Sequence, residues 1–254
     1  HSLSLYEMED ELGGHLNILK LLPTRVSWQM GIDNLVRRAE RNNVQINTRW
    51  NNSIRDISDE IVIIATGSYW SKIGYSPYRP ERNGIPMIGD TNVMEISTAI
   101  LKVHQNSESL GKKVVVIDET GDYLPLGLPE LLGNSGTEVE LVSPKPFIGT
   151  ETQRTLDMPY VLPRLKSLKV RFSPLNFVEK IENDNVFIYD IWGGDQRIIK
   201  NVSSIVISMT KIPNDRFYSE NIRSFPGMKR IGDVVAPRKI EAIIYEAEKT
   251  ARSI

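Results

Sequence analysis

A chain of 254 residues with 40% hydrophobic and 25% charged side chains is long enough for one large domain or two ordinary ones, each with its own core. Its 31 basic and 32 acidic residues nearly cancel, without a long block of one sign, so composition gives no support to a nucleic-acid partner. With no cysteine it cannot itself supply a disulfide, a thiol redox pair, a Cys-ligated zinc or an iron–sulfur cluster, and no apolar run approaches the ~20 residues that span a bilayer.

In chain order, residues 3–6 (LSLY) read as a strand closed by the acid Glu7 and followed by Gly13 and Gly14. Residues 30–41 have helical spacing, with Ile32, Leu35, Val36 and Ala39 on one face and Arg37, Arg38 and Arg41 on the other. Residues 61–65, 114–117, 139–142 and 205–208 are further short β-rich runs. Most are nearly continuous apolar runs, as strands covered on both faces require, so parallel sheets flanked by helices are expected. Prolines and glycines over 75–89 predict a surface loop. The alternating segments 186–191 and 196–199, separated by Trp192, Gly193, Gly194 and Asp195, predict an antiparallel hairpin. A closing helix follows Pro237, with Ile240, Ile243, Ile244, Ala247 and Ala251 expected inside and Glu241, Glu246, Glu248 and Lys249 outside. His1, His15 and His104 are too scattered for a metal site. No charged start followed by an apolar core marks export, so a cytoplasmic location is expected.

The fold class this implies is α/β: two Rossmann-like three-layer units with parallel sheets, the second inserted in the first. Residues 1–110 and 219–254 are expected to form a dinucleotide-binding domain, and 111–218 an inserted second α/β domain, a degenerate dinucleotide-binding-like unit. The two units echo each other in IVIIATGS and IVISMTKIPND. Residues 3–6 read as the second strand of the first unit, which on this reading lacks its N-terminal strand and glycine turn. That acid-tipped strand would hold ribose hydroxyls, whereas the glycine turn would hold pyrophosphate. Losing an interior strand exposes two edges, so a separate polypeptide or a second copy is expected to fill the gap.

The segments YEMEDELGGHL, IVIIATGS, GKKVVVID, IVISMTKIPND and RIGDVVAPRKIEAIIYEAEKTARSI, in that order, resemble the nucleotide-binding region of the NADH:flavin oxidoreductases of the 2,4-dienoyl-CoA reductase, trimethylamine dehydrogenase and histamine dehydrogenase type. The resemblance spans nearly the whole chain and is most specific in its last segment. It implies FAD or ADP as ligand here, with FMN and a Cys-ligated [4Fe-4S] cluster only in segments absent from this chain. Glu7 resembles the acid that accepts hydrogen bonds from adenosine ribose; one carboxylate matches a vicinal diol and disfavours a 2′-phosphate. Gly13 and Gly14 resemble the pair that lets backbone approach the nucleotide. Asn52 falls where relatives present backbone atoms to adenine. Ala65, Thr66 and Gly67 resemble the turn passing beside the nucleotide, and Gly232 and Asp233 the pair whose aspartate bonds the ribityl or pyrophosphate region of FAD. Each has a plain alternative: an exposed acid, a simple turn, a strand followed by a helix cap. His15 stands where relatives often have glutamine, and a structural role is expected of it.

The second unit departs from an NAD(P)H-binding pattern. Glycines belong at the first, third and sixth positions after VVVI, yet the chain reads Asp118, Glu119, Thr120, Gly121, Asp122, Tyr123. Side chains at those positions block close backbone approach, and three carboxylates repel an anionic ligand. No NAD(P)H is therefore expected there, a loss that resembles the amine dehydrogenase branch, which passes electrons to a separate carrier protein. No catalytic residue is expected in the chain itself. The function this implies is a nucleotide-binding segment or subunit of an FMN/iron–sulfur oxidoreductase. Its partners would be the barrel domain or subunit that carries those groups and an electron carrier, in an oligomer. The alternative is a non-catalytic Rossmann module acting as a structural or docking subunit.

Overall fold

The computed structural model describes residues 2–51, 61–133, 135–225 and 227–254. The chain divides into two compact units, one built from His1–Asn17, Ser27–Tyr69 and Lys211–Ile254, the other from Ile18–Val26 and Trp70–Thr210.

The second unit is organised by five parallel strands, in spatial order Val93–Glu95, Ser204–Ser208, Lys113–Asp118, Glu138–Val142 and Arg171–Ser173. Val114, Val115, Val116 and Ile117 are all fully buried, which explains why the central run is apolar without alternation. Each such side chain contributes roughly 1.5–3 kcal/mol by leaving water. Val114 and Val116 pack in one core with Ile96, Ile100, Leu126, Val161 and Leu165, from the helices Ile96–Gln105, Tyr123–Leu132 and Met158–Ser167. Val115 and Ile117 face a different layer. It is an antiparallel meander of Asn176–Glu182, Asn185–Asp190 and Gln196–Ile199, with Met87–Ile88 added parallel at its edge. Helices were expected on both faces; a β-meander covers one, because its inward residues Phe177, Ile181, Val186 and Ile188 are as apolar as a helix stripe. The predicted hairpin is the second half of that meander.

Helix Tyr123–Leu132 contains Pro125, Gly127 and Pro129, residues that argue against a helix. Pro125 lies in the first turn, where its missing N–H is not needed, and packing overrides the rest. A Cβ on Gly127 would meet Leu22 Cδ1 at 2.7 Å, so the glycine admits close approach of that side chain.

The first unit is thinner. Ser4–Tyr6 pairs in parallel with Gln45–Asn47, and Ile63–Ile64 in parallel with Lys229–Arg230, as separate two-stranded sheets. Its core holds Val62, Ile64, Met228 and Val234, with Phe217, Tyr218, Ile222 and Phe225 packed against it. Rings of Tyr6, Trp50 and Phe217 follow at centroid spacings of 5.3 and 5.6 Å. The helix expected over 30–41 spans Trp28–Arg41; Ile32 is buried but Leu35 is exposed, contrary to expectation, because nothing among the described residues covers that edge of the stripe. The closing helix Ile240–Ala251 departs further. None of its residues is buried, Ile240, Ile244 and Ala251 are exposed, and Glu246 turns inward to accept a hydrogen bond from Gly232 N–H at 2.6 Å. No helix among the described residues is long and apolar enough to cross a membrane.

Candidate functional site

Of the sequence-selected residues of the first unit, Glu7, Ala65 to Gly67, Gly232 and Asp233 lie where its parallel strands end. Glu7 directly follows Ser4–Tyr6; its N–H donates to Asn47 O at 2.9 Å, and its Oε1 accepts from Glu9 N–H at 3.0 Å. A carboxylate offers about four acceptor positions, so one internal bond leaves capacity for a diol. The loop then reaches Gly13 (φ +128°) and Gly14 (φ +51°), whose carbonyls accept from Leu16 and Asn17 N–H as the helix Leu16–Leu19 opens. A Cβ on Gly13 would meet Asn17 Oδ1 at 2.9 Å, whereas one on Gly14 would meet nothing within 4 Å. Gly14 is thus the member of the pair with open space beside its backbone.

Ala65, Thr66 and Gly67 follow Ile63–Ile64, and Gly232 and Asp233 follow Lys229–Arg230, the strand paired with it. Ile231 N–H continues that ladder to Ile64 O at 3.0 Å. The two motifs are therefore brought together: Ser68 Oγ donates to Asp233 Oδ2 at 2.8 Å across 165 residues of sequence. Asp233 is 8% exposed; its Oδ1 accepts from Arg238 N–H at 3.0 Å, and Lys211 Nζ stands 3.8 Å from Oδ2. Thr66 Oγ1 donates to Asn214 O at 2.5 Å, and Asn214 N–H donates to Gly67 O at 2.9 Å, which braces the turn. Gly67 adopts φ +74° with nothing within 4 Å of a built Cβ. Asn52 lies outside the described residues. Sequence reasoning missed Ser68, Lys211, Asn214, Arg238 and Glu246, of which Arg238 also pairs with Glu246. Ser68, Lys211 and Asn214 matter through partners far along the chain, whereas Arg238 and Glu246 act within the 232–246 segment.

At the carboxyl end of the second unit's sheet the turn 118–123 is filled by its own side chains. Asp122 caps helix Tyr123–Leu132 by accepting from Leu124 N–H at 3.1 Å, so a protein carboxylate occupies the helix terminus that an anion would use. Gly121 has φ +67°, and a Cβ there would come 2.3 Å from Thr150 Oγ1. The ring of Tyr123 is nearly covered, with its hydroxyl donating to Pro23 O at 2.9 Å and Arg25 stacked over the ring at 3.6 Å. Among the described residues no group of three or more His, Cys, Asp or Glu could hold a metal ion.

Residues 99–208 match the family described as OYE-like second alpha/beta domain. The whole chain aligns at 24% identity with "Probable N-methylproline demethylase" of Rhizobium meliloti (strain 1021), and at 20% with "Dimethylamine dehydrogenase" of Hyphomicrobium sp. (strain x). The chain is therefore similar to proteins of the NADH:flavin oxidoreductase kind. Both alignments cover 100% of this chain but only 40% and 38% of those relatives, so it spans about two fifths of their length. Histamine dehydrogenase from Rhizobium sp. 4-9 shares the fold, with a TM-score of 0.88 at 24% identity over 100% of this chain and 40% of that one. Those relatives are longer proteins than this chain. Relatives named as a demethylase and dehydrogenases do not favour the docking-module alternative.

Proposed function

We propose that this chain is the nucleotide-binding region of a flavin-dependent oxidoreductase of the amine dehydrogenase kind, holding the adenosine diphosphate portion of FAD, or ADP itself, in its first unit. The observation that carries the reading is the meeting of 65–67 with Gly232 and Asp233 at the ends of paired parallel strands, the end at which α/β folds bind ligands. The residues fit such a ligand. Glu7 retains acceptor capacity for ribose hydroxyls, Gly14 and Gly67 leave backbone accessible, and Lys211 puts positive charge beside Asp233. FAD, when bound, would supply the redox chemistry; the chain's own residues bind and orient it.

The first unit's two separate parallel pairs also support an interior strand contributed from outside residues 1–254, which would unite them into one sheet. On this reading the nucleotide-binding unit is the one formed by His1–Asn17, Ser27–Tyr69 and Lys211–Ile254. A barrel carrying FMN and a [4Fe-4S] cluster, an electron-carrier protein and an oligomeric, cytoplasmic assembly accompany it. The second unit is read as not binding NAD(P)H, since Asp122 and Tyr123 fill the turn.

The test is calorimetric titration with ADP and with FAD, together with analysis of whatever denaturation releases. Uptake of either nucleotide is expected, weakened about 10-fold or more by Glu7→Ala, since a hydrogen bond to a charged group contributes roughly 1.5–3 kcal/mol. No uptake and no released adenine compound would overturn the reading.

A further inference from the structure

The turn 118–123 contains a carboxylate that nucleotide binding does not use. Asp118 ends strand Lys113–Asp118 and has no exposed surface. Its Oδ1 accepts from Thr120 Oγ1 and from Gly121 N–H, both at 2.9 Å, while Oδ2 has no hydrogen-bond partner. Ser208, its register partner on the neighbouring parallel strand, is equally buried, and its Oγ is likewise without a partner. Apart from Lys145, which acts on the neighbouring Glu119, the surrounding elements bring like charge or none. Strand Ser204–Ser208 offers the neutral Ser208, and helix Tyr123–Leu132 begins at Asp122, which repels a charge on Asp118. The short 3-10 helix Thr150–Gln153 packs Thr150 and Glu151 on Gly121, with Glu151 N–H donating to Gly121 O at 2.9 Å. Glu95 is occupied capping its own helix, and Lys145 acts on Glu119, whose Oε1 accepts from Ser76 Oγ at 2.9 Å.

We propose that the turn 118–123 is a proton-operated latch: Asp118 keeps it shut as the neutral acid, and ionisation of Asp118 frees Gly121 and the Asp122 cap, opening the carboxyl end of the second unit's sheet. A charged Asp118 would sit buried beside a second carboxylate, and swinging the turn into water relieves that cost. Burial, with Asp122 adding to it, pushes the Asp118 carboxyl up to about 7, against the hydrogen bonds from Gly121 and Thr120. In the open turn the group regains a value near ~3.9. The shut form therefore binds the extra proton between those two values. It is favoured fully below about pH 4, loses ground by about tenfold per pH unit up to about pH 7, and levels off above.

Hydrogen exchange of the Gly121 and Asp122 amides in the full chain, from pH 5 to pH 8 and expressed as protection factors, tests this. Protection should fall about tenfold per pH unit up to about pH 7 and then flatten, and Asp118→Asn, which keeps an uncharged donor, should abolish the dependence. Unchanging protection in the wild-type chain, or the same slope in Asp118→Asn, overturns the proposal. Should Asp118→Asn fail to fold, infrared spectroscopy of the folded wild-type chain decides. A protonated-carboxyl band at pH 6 that titrates away near pH 7 and persists in Glu119→Gln supports the latch; its absence, or its loss in Glu119→Gln, overturns it.

Discussion

At the scale of single residues, buried ionic groups set the largest local sensitivities. Glu140, on strand Glu138–Val142, is almost fully buried; its carboxylate accepts from Ser173 Oγ at 2.6 Å and pairs with Arg197 of the meander. Removing one member of a buried pair strands the other without compensation, a loss of about 3–5 kcal/mol for a fully buried pair. Arg197 is one-third exposed, so Arg197→Ala should cost less, on the order of 2–3 kcal/mol, in urea unfolding. Arg216→Ala, which breaks an exposed i,i+4 pair with Glu220, should leave the midpoint unmoved. Equal effects from the two would show that burial is not what matters. Glu179 illustrates the opposite sign to Asp118: hydrogen bonds from Arg82 and then Arg79 hold its carboxyl below the usual range. Its contribution is thus present above about pH 4.5 and fades as pH falls.

At the scale of elements, packing rather than propensity decides what forms and which way it faces. Helix Tyr123–Leu132 persists through two prolines and a glycine because Leu126, Leu128 and Leu132 are buried on neighbouring helices and the sheet. Helix Ile240–Ala251 has the better helical sequence yet buries nothing. Ile244, 60% exposed, should therefore tolerate Ile244→Ala with a change within about 0.5 kcal/mol in the unfolding transition of the first unit. A loss above about 2 kcal/mol would mean that a covered face exists. The inward turn of Glu246 has a clear cause: Gly232 N–H and the Arg238 guanidinium both need an acceptor there.

At the scale of the whole molecule, the two units differ in how much apolar surface each buries. Among the described residues, the first unit's buried apolar side chains are Ile32, Val62, Ile64, Met228 and Val234, whereas the second has two extensive clusters, one on each face of its sheet. Stability follows buried contacts, so unfolding should not be two-state. Amide exchange in Ser4–Tyr6 and Ile63–Ile64 should outpace that in Lys113–Asp118 and Ser204–Ser208 by about a hundredfold or more. Uniform protection and one cooperative transition would contradict this.

What could be read without coordinates was whatever depends on near neighbours. The largely apolar runs at 114–117, 139–142 and 205–208 are parallel strands, the 186–199 segment is a hairpin, and the ordered motifs resemble proteins to which the chain is similar. Tertiary structure alone decided that a meander rather than helices covers one face of the sheet, that Ser68 meets Asp233, that Glu246 points inward, and that Asp118 is sealed beside Ser208. The reason is physical: side-chain periodicity is set within a few residues, but desolvation and long-range hydrogen bonding depend on which distant segment arrives to cover a face, and no local pattern encodes that arrival.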